Sequence, residues 1–268
     1  MSRPLRIAYP NALYHVMNRG LAYNPIFIND RHRQMFLGLF CEIHNQYQAE
    51  IHAYCLMDNH YHLLLRTPLG NISRIMRHLD GVYTQRFNKS VKRDGPLLRG
   101  RYKSILVEAD VYLLRLSRYI HLNPVKAKLV KKSEQFSWSS YQAYLNDNAP
   151  HWLNTNYILS YFGDHIPSEK YKAFVEEGID NEISDFYKNL KNIPILGCEV
   201  FIKKVAEKYL KKRHKIDAIP EYKLLQINKP IPIENIRQCV AEFYGIDVQD
   251  INLIKKETVT CHALLQCI

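Results

Sequence analysis

The order of strand-like and helix-like segments is the feature that most constrains how this chain can fold. Apolar and polar residues roughly alternate in some segments, whereas apolar residues recur at helical spacing in others. In chain order the patterns predict a strand at 12–18, a helix at 30–48, strands at 51–57 and 61–66, a helix at 71–88, a strand at 104–108 and a helix at 110–123. This βαββαβα order with short strands favours an α+β fold with a ferredoxin-like antiparallel sheet.

Capping and breaking residues mark the ends of the predicted helices. Asp30 and Asp110 begin helical patterns, which makes each of them a candidate N-cap. Proline disfavours helical geometry at the residue before it, so Pro124 predicts that the last helix of this region ends near Asn123, in a distorted final turn.

A run of loop-forming residues divides the chain into two parts. Asn146, Asp147, Asn148 and Pro150 interrupt the pattern of strands and helices. We therefore predict a first domain over residues 1–148 and a smaller, mostly α-helical C-terminal domain over residues 149–268. Helices of the second domain are expected near 168–178, 182–191, 198–212 and in further segments after residue 233.

The composition indicates a basic chain without membrane or disulfide signals. Its formal net charge of +11 favours a polyanionic partner such as nucleic acid, although a charged surface also serves solubility alone. Six cysteines occur without a CxxC pair, which argues against a disulfide scaffold and a zinc ribbon. The sequence has no apolar run of about 18 residues and no secretory signal, so we expect a cytoplasmic protein without a membrane partner.

The segment Asn59-His60-Tyr61-His62 lies at the start of a predicted strand. Side chains two positions apart on a strand point to the same face, so His60 and His62 converge there. Two neighbouring imidazoles suit a divalent metal and leave coordination positions open for a substrate phosphate. The alternative is a pair of structural histidines on a strand.

Tyr119 and Asn123 share one face of the last predicted helix because they are four residues apart. A phenol beside an amide that completes a metal's coordination would form a compact cleavage site for a phosphodiester. The alternative is a packed core tyrosine whose hydroxyl has found a partner.

A basic segment follows the second predicted helix. Its aromatic residues, Phe87 and Tyr102, lie between cations and would suit unpaired bases, while the cations suit a phosphate backbone. The alternative is a solvated loop. The cations are Arg86, Lys89, Lys92, Arg93, Arg99, Arg101 and Lys103.

Four segments in order, at residues 9–20, 51–68, 100–130 and 136–144, resemble the REP-associated tyrosine transposases. They include YHVMNRG, DNHYHLLLR, SRYIHLNPVK and FSWSSYQAY, and the resemblance covers roughly residues 3–145. These proteins belong to the wider group of insertion-sequence transposases with an HUH motif.

The resemblance implies an HUH endonuclease core in which His60 and His62 are metal ligands, Asn123 is the third ligand and Tyr119 is the nucleophile. It also implies Mg²⁺ or Mn²⁺ as cofactor, and single-stranded DNA that forms hairpins from palindromic repeats as substrate. Cleavage and rejoining would proceed through a 5′-phosphotyrosine, in a monomer or a homodimer.

Three alternatives remain open from the sequence. The chain is a silent, domesticated transposase that binds hairpin DNA, a replication initiator or relaxase with the same chemistry, or a plain metal-binding or RNA-binding α+β protein. In addition, residues 233–265 resemble the opening helices of the DNA-binding domain of the bacterial replication initiator, which would make the end of the chain a partial domain of that type.

Overall fold

A mixed five-stranded sheet is the centre of the fold. The computed structural model describes residues 7–146, 148–178, 181–188, 195–210, 237–238 and 241. The strands are β1 (Ala12–Arg19), β2 (Glu50–Met57), β3 (His60–Thr67), β4 (Lys103–Val107) and β5 (Ile195–Leu196). They are ordered β2-β3-β1-β4-β5. The first four pair antiparallel in the predicted ferredoxin-like order, whereas β5 adds to the edge in parallel with β4.

The helices of the described residues lie between and after these strands. They are α1 (Asp30–Tyr47), α2 (Ile72–Ser90), α3 (Ala109–Lys126), α4 (Tyr141–Leu145), α5 (Asn156–Leu159), α6 (Pro167–Glu176), α7 (Asn181–Lys188) and α8 (Glu199–Val205), which is followed by a π-helical segment at Ala206–Leu210. None of the helices in the described part of the chain is long and apolar enough to cross a membrane.

The pleat of the sheet separates two apolar cores. Residues of β1 and β3 such as Tyr14 and Tyr61 pack with α1 and α2 on one face. Leu13 of β1 and Leu64 of β3 point to the other face of the sheet and pack with α3. Because neighbouring side chains of a strand point to opposite faces, the register of β1 against β3 decides which residues meet α3.

Two predicted N-caps differ from those in the structure. The cap of α1 is Asn29, whose side-chain oxygen accepts a hydrogen bond from the backbone N–H of His32 at 3.2 Å, so Asp30 is the first helical residue instead. Likewise α3 begins at Ala109, and Asp110 lies within its first turn, where a negative charge favours the helix dipole.

The predicted end of α3 at Asn123-Pro124 is wrong, because the helix continues through Pro124 to Lys126. Pro124 has no N–H for the carbonyl of Ile120, four residues before it. The side-chain amide of Asn123 donates to that carbonyl at 3.4 Å and to the carbonyl of Tyr119 at 2.8 Å. The amide therefore compensates for the missing backbone donor, and the helix is not interrupted.

The segment after residue 148 packs against the sheet more closely than its sequence indicates. Met1–Leu210 form one compact unit and Lys211–Ile268 another, whereas we predicted a boundary at 148/149. β5 joins the sheet, and Tyr171 and Ile183 are buried in the core beneath α3. Helices α6, α7 and α8 coincide with three predicted helices. The helices predicted after residue 233, and the resemblance at 233–265, lie outside the described residues apart from 237–238 and 241.

Buried histidines predict that acid destabilises the fold. His121 is fully buried, and its two ring nitrogens bond the hydroxyls of Tyr171 at 2.8 Å and Ser140 at 2.7 Å. Burial lowers the pKa of His121 to about 3. In the unfolded state His121 has the ordinary histidine pKa of about 6.5, so the unfolded state binds a proton first as the pH falls. The contribution of the neutral imidazole to the free energy of unfolding is therefore complete above about pH 6.5 and is lost as the pH falls below it. About 2 kcal/mol should be lost by pH 5.

Urea unfolding at pH 7 and at pH 5 measures this effect. In His121→Gln, the difference between the two free energies of unfolding should be about 2 kcal/mol smaller than in wild type. His165→Gln is the matched control, because His165 is exposed, and should leave the difference unchanged. An unaltered difference in His121→Gln would contradict a neutral buried imidazole.

Candidate metal and nucleophile site

His60 and His62 lie on the face of β3 that is turned toward α3. Their ring centroids are 5.1 Å apart. Tyr61, between them, points to the opposite core and donates a hydrogen bond to Asp80 at 2.7 Å. Tyr119 of α3 reaches the same side as the histidines, with its ring centroid 6.1 Å from that of His62. The structure therefore brings together three of the predicted site residues.

Each of the two histidines is bonded through its Nδ1 atom. His60 Nδ1 lies 2.6 Å from the side-chain oxygen of Asn59. The amide nitrogen of Asn59 donates to the carbonyl of Tyr23 at 3.3 Å, which fixes its oxygen as the acceptor for His60. His62 Nδ1 lies 2.9 Å from His15 Nε2. Nε2 is therefore the ring nitrogen left for a metal, in His62 on condition that its Nδ1 is the donor to His15.

Both imidazoles are held in the neutral form that binds metals. Burial, together with the nearby His15 and His60, lowers the pKa of His62 well below its ordinary value. Burial and the charge of Arg19 lower the pKa of His60. A metal that binds these nitrogens at neutral pH therefore releases few protons from the two rings.

Tyr119 is enclosed rather than open to solvent. Only 8% of the residue is exposed, and its ring stacks on that of Tyr187 with 4.8 Å between centroids. Burial raises the pKa of Tyr119, which opposes the phenolate that a nucleophile needs. The ammonium of Lys126 lies 5.3 Å from the ring centroid, and its positive charge favours the phenolate.

Asn123 lies one helical turn after Tyr119 and is 9% exposed. Because its amide nitrogen is bonded to backbone carbonyls of α3, its oxygen is the atom available to a metal. Among the described residues, no group of three or more histidine, cysteine, aspartate or glutamate side chains is arranged to hold an ion. By their chemistry, two imidazole nitrogens and one amide oxygen would suit a catalytic ion that keeps open positions for phosphate.

The basic segment lies beside the end of β1. The backbone N–H of Arg99 donates to the carbonyl of Arg19 at 2.9 Å, and Arg19 is the strand partner of His60. Arg86 is paired with Glu42 at 2.7 Å, and Arg93 donates to the carbonyl of Pro96 at 3.0 Å. All seven cations of the segment are exposed: Arg86, Lys89, Lys92, Arg93, Arg99, Arg101 and Lys103.

The expectation that Tyr102 and Phe87 offer their rings to bases is wrong. Tyr102 is 8% and Phe87 1% exposed, and both pack in the core beneath α1 and α2. An exposed aromatic ring in this region is instead Tyr23, which is 64% exposed and lies under the guanidinium of Arg19 at 3.9 Å. Interleaving with cations does not distinguish a base-stacking ring from a core ring.

Sequence patterns do not identify His15 or Tyr187 as site residues. His15 was part of the first predicted strand, but the register that sets it beside His62 depends on long-range pairing. Tyr187 lies in α7, which we placed in a separate domain. Lys126 was visible as a basic residue after Pro124, and its position follows from the continuation of α3.

Comparison with known proteins supports a transposase class for this region. Residues 8–123, somewhat under half of the chain, match the family described as "Transposase IS200 like". This region is therefore an IS200-like transposase domain, and the residues assembled at the site lie within it except for Tyr187 and Lys126. The narrower resemblance, to the REP-associated branch, rests on the motifs at 9–20, 51–68, 100–130 and 136–144.

Nine chains of solved structures are also similar. One is a REP-associated tyrosine transposase bound to a REP hairpin, with 17% identity and a TM-score of 0.47 over 56% of this chain and 89% of that one. Another is a protein assigned as a transposase from Deinococcus radiodurans R1, with 20% identity and a TM-score of 0.32 over 45% of this chain and 95% of that one. At these TM-scores neither supports a functional argument. No curated protein matches the chain.

Removing the hydroxyl of Tyr119 should leave the fold intact. Tyr119→Phe retains the ring between His62 and Tyr187, so we expect its free energy of unfolding to stay within about 1 kcal/mol of wild type. Tyr119→Ala, in contrast, removes the buried ring and should cost about 3 to 5 kcal/mol. Urea unfolding of the three proteins measures both effects, and a large loss in Tyr119→Phe would show that the hydroxyl is structural.

Proposed function

We propose that this chain is a metal-dependent endonuclease and transposase that cleaves and rejoins single-stranded DNA. The main support is the approach of Tyr119 to His62, with 6.1 Å between ring centroids, in an IS200-like transposase domain. Together they provide a phenol nucleophile beside a pair of neutral imidazoles, a combination suited to phosphodiester transfer.

His60, His62 and Asn123 are the residues that would hold Mg²⁺ or Mn²⁺. When bound, the ion would polarise the scissile phosphate and offset its developing negative charge. The histidines support this role because burial keeps them neutral and their Nδ1 atoms are already bonded. Asn123 supports it with an amide oxygen, which is a ligand type that Mg²⁺ and Mn²⁺ accept.

Tyr119 performs the transfer. Its hydroxyl oxygen attacks the phosphorus and loses its proton, an Oη–P bond forms, and the P–O3′ bond breaks. The 3′ oxygen leaves and takes up a proton, while the 5′ phosphate stays on the tyrosine. The covalent intermediate retains the phosphodiester energy, so attack by a 3′-OH rejoins strands without a nucleotide cofactor. Lys126 assists by placing a positive charge near the phenol.

The exposed cations beside the end of β1 are the proposed DNA-binding surface. Tyr119 lies on α3 and is covered by Tyr187 of α7. A single strand suits this site because the phosphate of an open strand can approach a covered nucleophile more closely than a duplex can. The resemblance to REP-associated transposases favours a substrate that forms hairpins from palindromic repeats. Tyr23, exposed under Arg19, is a ring on which an unpaired base can stack.

A second candidate is a hairpin-binding protein whose chemistry is silent. The cover of Tyr187 over Tyr119, which leaves the nucleophile 8% exposed, favours this alternative. It shares the DNA-binding surface with the first candidate and differs in that no covalent intermediate forms.

A covalent adduct tests the chemistry. Labelled single-stranded hairpins derived from palindromic repeats are incubated with wild type and Tyr119→Phe, with Mn²⁺ or with EDTA, and separated on a denaturing protein gel. We expect a shifted band in wild type with Mn²⁺ and none in the other three lanes. Binding without any adduct under Mn²⁺ or Mg²⁺ would contradict the endonuclease and support the silent binder.

The basic surface predicts a salt-dependent affinity. The double variant Arg99→Ala/Arg101→Ala should bind hairpin DNA more weakly and reduce the slope of log affinity against log salt by about one to two. Arg74→Ala/Arg77→Ala removes the same charge near the start of α2, far along the helix from the basic segment, and should bind like wild type. Fluorescence anisotropy between 50 and 300 mM salt compares them, and equal losses would contradict a localised surface.

A further inference from the structure

We infer that His15 is a positioning residue for the metal site, because it sets which nitrogen of His62 is protonated. The inference rests on the proposed function, in which His62 binds a metal through Nε2. His15 lies on β1, is fully buried, and faces the same side of the sheet as His62 and Tyr119. Its ring lies nearly parallel to that of His62, with 5.1 Å between centroids and 20° between planes.

Only one proton fits between the two facing nitrogens. His15 Nε2 and His62 Nδ1 are 2.9 Å apart, which is a hydrogen bond in which either nitrogen can be the donor. If His62 Nδ1 donates, its Nε2 has a free lone pair for a metal. If His15 Nε2 donates, the neutral His62 has its proton on Nε2, and that nitrogen is closed to a metal.

Tyr187 completes the chain of hydrogen bonds on the far side of His15. The Nδ1 atom of His15 bonds the hydroxyl of Tyr187. When His62 donates to His15, the proton of neutral His15 is on Nδ1, and the hydroxyl of Tyr187 accepts it. When Tyr187 donates instead, both protons shift and the metal-binding nitrogen of His62 is closed. The chain therefore has two self-consistent arrangements, and a metal on His62 selects the first.

His60 is set differently from His62. Asn59 presents a carbonyl oxygen to His60 Nδ1 and is held in that orientation by its own donation to Tyr23. Its acceptor is fixed, so the Nε2 atom of His60 is open at all times. An acceptor in place of His15 should fix His62 in the same way, whereas an apolar side chain should remove the control.

The variants His15→Gln and His15→Leu distinguish these cases. Glutamine offers a side-chain oxygen to His62 Nδ1, while leucine fills similar space and offers none. Mn²⁺ affinity of the DNA-free protein is measured by electron paramagnetic resonance titration. We expect His15→Leu to bind Mn²⁺ about 10- to 100-fold more weakly than wild type. His15→Gln should remain within a few-fold of wild type. Near-ultraviolet circular dichroism checks that each variant is folded.

A second measurement uses the wild type and does not depend on the variants. Long-range ¹H–¹⁵N correlation spectra of the Mg²⁺-saturated protein report the protonation of each ring nitrogen of His62. Nδ1 should be the protonated nitrogen, as an acceptor at His15 requires. A His15→Leu protein that binds Mn²⁺ as tightly as wild type would overturn the inference and leave the metal site standing. A proton on Nε2 of His62 in the Mg²⁺-saturated protein would overturn both, because that nitrogen could not bind the ion. His60→Ala, which lacks one proposed metal ligand, is the reference for a protein without the site. If wild type binds Mn²⁺ no better than His60→Ala does, both the proposed function and the inference about His15 are overturned.

Discussion

The alternation of side chains along β3 is the constraint on which the site depends. It sends Tyr61 into the core beneath α1 and α2 and leaves His60 and His62 beneath α3. The central position of β1, between β3 and β4, adds His15 to the same face. A shift of one residue in this register would exchange the side chains on the two faces of the sheet. The same register is therefore required both to pack the apolar cores and to assemble the site.

Burial affects the two kinds of site residue in opposite ways. It keeps His60 and His62 neutral by lowering their pKa values, and neutral is the form in which they would bind the proposed metal. The same burial raises the pKa of Tyr119 and makes the phenolate harder to form. Under the proposed function, positive charge near the phenol would therefore be needed for cleavage, and the ammonium of Lys126 and a bound divalent ion would supply it.

Local patterns were enough to predict four strands, the helices between them and the spacing of His60, His62 and Tyr119. The parallel strand β5 was missed because two residues, Ile195 and Leu196, are too few for a periodic pattern. Tyr102 was misassigned because cations on either side do not reveal whether a ring is buried. His15 and Tyr187 come to the site through contacts 47 and 172 residues away in sequence, which no local pattern contains.

Tyr119 and Tyr187 are stacked in one site, so the most direct test of the account is to determine which of them becomes linked to DNA. After reaction with labelled single-stranded hairpin DNA and Mn²⁺, nuclease trimming and trypsin digestion, mass spectrometry locates the modified peptide. Tyr119 lies in the tryptic peptide 119–126 and Tyr187 in 173–188. A nucleotide mass on 119–126 is the expected result, because Tyr119 faces His62 from a helix of the transposase domain. A nucleotide on 173–188, or on neither peptide, would contradict Tyr119 as the nucleophile.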